Sequence, residues 1–265
     1  MKSIYLGVNY NSSSTLREIL PLWARNPLIE EIYIVDSFSS DEELLCTRQV
    51  CIDNNATLIE APNKGYGAAL NLGLNSILES HGSNKSVEER MIFLGNIDIK
   101  PEKLDASNSW IDEDAILVPQ ILQEEKQLNP MLTVLQNRFV WIACMSSKYN
   151  IKILLYLWIL VKKVLAIFPS KIYAVHGALF VLTLSQVKRI HPIFNEKAFL
   201  YCEEMFFALA VERNSLRYKK IDLIFRHVGA VSTSKFYQNN KLARFENWRK
   251  SMSIYCETRK ATHAK

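Results

Sequence analysis

Met91-Ile92-Phe93-Leu94-Gly95-Asn96-Ile97-Asp98 is a short apolar run that breaks at Gly95 and Asn96 and closes on a lone carboxylate. The run reads as a buried strand, and Pro101 beyond it is suited to open a helix. A carboxylate just past such a strand stands at the carboxyl edge of an open α/β sheet, where these sheets bind ligands. Hard divalent cations take oxygen ligands, and one or two carboxylates together with substrate phosphates hold them. Asp98 is therefore read as a metal ligand beneath a diphosphate. The plainer alternative is a strand-end aspartate that caps the following turn.

Upstream, the chain alternates. Ile4–Val8 is a first strand, ended by Asn9-Tyr10-Asn11-Ser12-Ser13-Ser14, which offers several helix caps. Leu16, Ile19, Leu20 and Trp23 recur at helical spacing. Glu31–Val35 is a second strand ending at Asp36. A polar loop, Ser37-Phe38-Ser39-Ser40-Asp41, then caps a helix to about Asp53, and Ala56–Glu60 is a third strand. This βαβαβ order predicts a parallel sheet with helices on both faces. Asn63-Lys64-Gly65-Tyr66-Gly67-Ala68-Ala69-Leu70-Asn71-Leu72-Gly73 follows the third strand and opens a helix. Its backbone N–H groups are placed to meet a phosphate; the alternative is a glycine turn packed closely on the sheet. Leu70 stands where a dinucleotide fingerprint needs its third glycine.

Downstream, Ser80–Glu89 reads as a polar loop and Ala115–Val118 as a strand, while the residues from Gln120 to Met145 have no clear period. Tyr149–Phe168 is nearly all apolar, and Lys148–Lys171 carries five lysines and no acid before and around Pro169. A basic, apolar helix with Trp and Tyr suits an anionic membrane surface; the alternative is a core helix whose lysines snorkel outward. Ile172–Val175 and Leu179–Leu182 are strands flanking His176-Gly177-Ala178, and Ser185–Ile190 is a short helix. The aromatic stretch Phe194–Tyr201 leads into Glu203 and Glu204 at the start of an apolar helix. Carboxylates favour a helix N-terminus through its dipole; a general base set in an aromatic wall is the sharper reading. Ser215–Phe225 is strand-like and runs into His227, a metal-ligand type that is more often structural when alone. Lys241–Cys256 reads as a last helix.

The bulk figures agree with a globular chain. It has 265 residues, 49% hydrophobic and 22% charged, with a net charge of +5. That length buries a real core, and the positive charge favours phosphate-bearing or anionic-surface partners. Five cysteines without a CxxC pair predict reduced thiols of a cytoplasmic protein. No signal-peptide pattern and no membrane-spanning run is expected. The lysines interleave with long aliphatic runs, which argues against nucleic acid as a partner.

Taken in order, Asn9, Asp36 with Ser39 and Asp41, Asn63-x-Gly65-x-Gly67 with Asn71, Asn96-x-Asp98, His176-Gly177-Ala178, Tyr201-x-Glu203-Glu204 and His227-x-x-Gly229-x-x-Ser232 resemble the inverting family-two glycosyltransferases. The likeness is greatest to the rhamnosyltransferase-like enzymes of bacterial polysaccharide and O-antigen biosynthesis, over about residues 3–235. It implies the α/β GT-A nucleotide-diphospho-sugar fold, with a mostly parallel central sheet flanked by helices over 1–235. The helix and tail at 236–265 would lie on the acceptor side. It also implies roles. Asn9, Tyr10 and Asp36 would serve the nucleotide. Asn63, Gly65, Asn71, Asn96, His176 and Gly177 would line the nucleotide-sugar site. Asp98 and His227 would hold Mg2+ or Mn2+, and Glu204, paired with Glu203, would be the base. The donor would be dTDP-rhamnose or a UDP-sugar, and the acceptor a glycan, often lipid-linked, met at the inner face of the cell membrane. Two positions depart from the pattern: Asn96 replaces the first acid of Asp-x-Asp, and Glu204 replaces an aspartate. Asn96 keeps open a non-catalytic sugar-nucleotide or glycan-binding module. A nucleotidyltransferase would need a basic glycine-rich loop where Asn9-Tyr10-Asn11-Ser12 stands.

Overall fold

The computed structural model describes residues 2–81, 90–104, 112–229 and 240–263. In chain order the elements are β1 (Ser3–Asn9), α1 (Ser13–Ala24), β2 (Ile29–Ser37), α2 (Asp41–Asp53), β3 (Thr57–Ala61), α3 (Tyr66–His81) and β4 (Met91–Asn96). There follow β5 (Ile99–Lys103), β6 (Ala115–Gln123), β7 (Lys126–Gln127), β8 (Leu132–Thr133), α4 (Val134–Asn137), α5 (Trp141–Tyr149) and α6 (Lys152–Leu165). The chain continues with β9 (Ile172–Ala174), β10 (Leu179–Thr183), α7 (Leu184–Ile190), α8 (Glu203–Arg213), β11 (Arg217–His227) and α9 (Lys241–His263).

The main sheet has the order β3-β2-β1-β4-β10-β6-β11-β5, with β7 paired on β6. Its first four strands are parallel, as the βαβαβ alternation predicts. The second half is mixed: β10 runs antiparallel to β4 and β6, and β11 is parallel to β6 but antiparallel to β5. One fully buried layer lies under each sheet face. Leu16, Ile19, Leu20 and Trp23 of α1 fill one of them, as their spacing predicts. Trp23 is its keystone. It stacks on Tyr5 at 4.1 Å, lies 5.6 Å from Phe93 and 5.8 Å from Phe225, and donates from Nε1 to the Ile99 carbonyl at 2.8 Å. The indole thus ties β1, β4, β5 and β11 together.

Several expectations are corrected. Pro101 opens no helix: it sits in β5, which lies at the edge of the sheet and among the described residues pairs only with β11. An edge strand tolerates a residue with no N–H to donate. Helix α3 extends to His81, into the segment read as loop, and 82–89 lies outside the described residues. The last helix runs on to His263 instead of ending near Cys256. Cys144 and Cys256 are joined in a disulfide, so the reading of five free thiols fails. The two are 112 residues apart, and only the packing of α9 on α5 brings them together. Helix α6 meets protein on one side only: Trp158 is buried and Leu154, Leu155 and Val161 pack with it into a hydrophobic cluster, while Ile153, Tyr156 and Leu160 are exposed. Among the described residues no helix is long and apolar enough to cross a membrane.

Candidate active site

The register of β11 on β5 opposes His227 to Ile99, and Val228 N donates to the Asp98 carbonyl at 3.0 Å. This antiparallel pairing brings together two side chains 129 residues apart. His227 Nε2 lies 3.3 Å from Asp98 Oδ2, both side chains being almost fully buried. Yet among the described residues Asp98 Oδ1 and both His227 ring nitrogens have no hydrogen-bond partner. Buried polar atoms are ordinarily satisfied, so these three await something. A carboxylate suits Mg2+ or Mn2+, and an imidazole favours the transition ion of the two. Two protein ligands are too few for a closed cage, and among the described residues no group of three or more His, Cys, Asp or Glu is placed to hold a metal ion. They do fit a cation shared with substrate phosphate oxygens.

Beside this pair is a cavity of about 220 Å3, lined among others by Tyr10, Asn63, Gly65, Asn96, Asp98, His176, Gly177, Glu203 and Glu204. A second, larger cleft of about 940 Å3 runs outward between α6 and α9. His176, Tyr201, Glu203 and Glu204 line both, so the two spaces meet at the paired carboxylates.

The loop before α8 sets those carboxylates. Gly65 has φ +103°, and a Cβ there would fall 2.1 Å from the Phe199 carbonyl oxygen. The glycine stretch therefore packs against the aromatic loop, and Tyr66 N already donates to that same carbonyl at 3.1 Å. Asn71 serves the same contact from inside. Its amide donates to the Phe194 carbonyl at 2.9 Å and to Glu196 at 3.2 Å, and its oxygen accepts from Phe194 N at 3.2 Å. Tyr201 (φ 76°) and Cys202 (φ 69°) then turn through left-handed backbone, a costly conformation for such side chains that persists where the surroundings enforce it. It delivers Glu203 and Glu204 to the first turn of α8. Glu204 Oε1 accepts from Gly177 N at 3.3 Å, and a Cβ on Gly177 would meet that oxygen at 2.8 Å.

The two glutamates differ in setting. Glu203 is buried, and its carboxyl is pushed up to about 8 by burial and then by the charge of Glu204. Glu204 is half-buried and faces both spaces. His176 donates from its backbone N to Asn129 Oδ1 at 2.7 Å and accepts at Nδ1 from Ala178 N at 3.2 Å, which leaves the proton of the neutral ring on Nε2. Burial lowers its pKa, the charge of Glu204 opposes that, and His227 and Lys162 add to the lowering.

A pH test of stability follows from Glu203. The folded chain keeps its proton up to about pH 8, whereas an ordinary carboxyl releases it near 4.5. Between those values the unfolded state binds fewer protons, so stability falls as pH rises. Glu203→Gln is expected to flatten that slope and to raise Tm at pH 8 more than at pH 5, read by differential scanning fluorimetry. Equal slopes in the two proteins would contradict the buried, protonated state.

Three residues expected at the nucleotide do not line either space. Asn9 is fully buried and donates to Asp36 Oδ2 at 2.7 Å and Thr47 Oγ1 at 3.0 Å. Asp36 also accepts from Ser39 N and Ser39 Oγ, each at 2.8 Å, which shapes the loop after β2. Asn71, as described, holds the aromatic loop. Ser232 lies outside the described residues. Conversely, Tyr66, whose hydroxyl donates to the Gly177 carbonyl at 3.3 Å, lines the first space without having been singled out. Tyr66 sits inside the glycine motif, a signal that was there to use. Lys162, expected with Lys152 and Lys163 to face a membrane, instead lines the larger cleft, because the placement of α6 turns it toward Glu204.

No family model matches the sequence, and no curated protein matches it. Solved structures do share its architecture. TarS from S. aureus is 17% identical, with a TM-score of 0.55 over 93% of this chain and 39% of that one. TarS 1–349 in complex with UDP is 15% identical, with a TM-score of 0.56 over 93% of this chain and 65% of that one. The mannosyltransferase PcManGT from Pyrobaculum calidifontis, in complex with GDP-Man and Mn2+, is 12% identical, with a TM-score of 0.50 over 96% and 69%. This chain spans less than two thirds of either TarS chain. At such identities the likeness speaks for architecture alone, and it places the chain in the GT-A fold in which these glycosyltransferases are built.

Proposed function

We propose that this chain transfers a sugar from a nucleotide-diphosphate donor to an acceptor hydroxyl by a single displacement with inversion. The observation that carries the reading is the meeting of two spaces at Glu203 and Glu204, one beside Asp98 and His227 and the other open to α6 and α9. A donor in the first and an acceptor in the second put the anomeric carbon and the attacking hydroxyl next to one carboxylate. The UDP bound by TarS 1–349 and the GDP-Man bound by PcManGT support a donor of this class. The Mn2+ of the latter supports a cation held by Asp98 and His227.

The residues then divide the work. Glu204 takes the proton of the acceptor hydroxyl as that oxygen attacks the anomeric carbon. The bond to the diphosphate breaks on the opposite face, and the configuration inverts. A divalent cation, when bound at Asp98 and His227, offsets the charge growing on the leaving diphosphate. Gly177 N–H holds Glu204 in place, and Glu203, kept protonated, adds no second charge beside the base. Asn9 and Asp36 shape the nucleotide loop from behind, with Tyr10 and Asn63 on the wall. We take dTDP-rhamnose or a UDP-sugar as donor and a lipid-linked glycan as acceptor, in polysaccharide assembly at the inner membrane surface.

A thermal-shift panel of UDP-, dTDP- and GDP-sugars, each with and without Mn2+, tests this. One nucleotide class is expected to raise Tm by several degrees, more so with the cation. No shift with any donor would sink the reading, and binding without turnover on any glycan would favour a non-catalytic module.

A further inference from the structure

Helix α6 is apolar on both sides. Its inward side carries Trp158, Leu154, Leu155 and Val161 into the core formed with α5, α8 and α9. Its outward side carries Ile153, Tyr156, Leu157, Leu160 and Val164, a run at helical spacing whose members are 44–71% exposed. Ile167 and Phe168 extend the patch beyond the helix, and Trp141, Met145 and Tyr149 form a second exposed row on α5, which packs against α6. A patch of this kind marks an interaction surface.

The charge around it names the occupant. Between Glu125 and Glu196 lie nine lysines and arginines and no aspartate or glutamate. Arg138, Lys148, Lys152, Lys163 and Lys171 of this stretch are all exposed. A second copy would set this basic surface against itself if it packed face to face, while an anionic bilayer meets both the charge and the apolar stripe. The helix is too short to span: 14 residues rise about 21 Å, against a hydrocarbon core of about 30 Å. Lying in the plane of the interface is the remaining geometry, and the Trp and Tyr side chains suit that depth.

We propose that the outward face of α5 and α6 docks the protein on an anionic lipid bilayer. Tyr156 and Ile159 belong both to the exposed surface and to the lining of the larger cleft. The cleft therefore opens at the level of the lipid headgroups. That second statement rests on the transfer reading above, in which the cleft takes the acceptor; the docking itself stands apart from it.

Flotation of the full chain with vesicles of phosphatidylcholine containing 30% phosphatidylglycerol, against phosphatidylcholine alone, is the test. Binding to the anionic vesicles is expected at 50 mM NaCl, falling severalfold at 500 mM. Ile153→Asp with Leu160→Asp is expected to weaken it at least tenfold, while Leu45→Asp, an exposed apolar site on α2, leaves it unchanged. Should the double variant fold poorly by circular dichroism, Lys148→Gln with Lys171→Gln is expected to weaken binding severalfold without touching apolar packing. Absence of flotation at low salt, or flotation indifferent to these substitutions, overturns the proposal. So does a dimer in analytical ultracentrifugation that Ile153→Asp with Leu160→Asp dissociates, since a second copy would then cover the face. Donor binding in solution is read separately, so failure here leaves the transfer reading standing.

Discussion

Glu204→Gln is expected to lower sugar transfer by about 100- to 10,000-fold, the range for loss of a positioned general base. The amide is isosteric and its oxygen still accepts from Gly177 N, so the first turn of α8 keeps its geometry. What disappears is the ability to take a proton at the junction of the two spaces. Donor affinity is expected to stay within about threefold, because the base acts on the acceptor and not on the diphosphate. Single-turnover rates with donor and acceptor, beside a donor titration, separate the two effects. Glu203→Gln is expected to leave most of the rate intact, since a carboxyl pushed up to about 8 is already largely neutral at pH 7. Full turnover in the Glu204 variant would place the base elsewhere. Loss in the Glu203 variant alone would exchange the two roles.

The second large effect is expected at Asp98. Asp98→Asn is predicted to lower transfer by about 100- to 1,000-fold, the usual cost of removing one group that stabilises charge in the transition state. It is also predicted to abolish the extra thermal shift that Mn2+ gives with donor. The free protein is expected to behave oppositely. Asp98 is 5% exposed, and Oδ1 has no partner among the described residues, so its charge is a burden until a ligand arrives. Neutralising it is expected to hold or raise Tm in the absence of cation and donor. Stability preserved together with activity lost would separate a ligand site from a fold-maintaining ion pair. A fall of several degrees in the free variant would instead make the Asp98–His227 contact structural.

The elements themselves were legible from local pattern. Ile4–Val8, Glu31–Val35 and Met91–Leu94 are apolar runs of strand length, and Leu16, Ile19, Leu20 and Trp23 keep the helical period. Such signals need only near neighbours to be read. Pro101 misled because a proline's meaning depends on whether its strand has a partner on the N–H side, which is a property of the sheet. For α6 two readings stayed open, since a helix apolar on both sides looks the same in sequence whether its second side meets protein or not.

By itself, then, the sequence determined the parallel half of the sheet, the strand-end position of Asp98 and the helix-start position of Glu203 and Glu204, because periodicity and end signals are encoded within a dozen residues. Tertiary structure alone decided that β5 and β11 pair in the register that sets His227 against Asp98, that the aromatic loop locks onto Gly65, and that Cys144 meets Cys256. Each of these joins residues far apart in the chain, and their approach follows from how all the layers pack together, which no local pattern records.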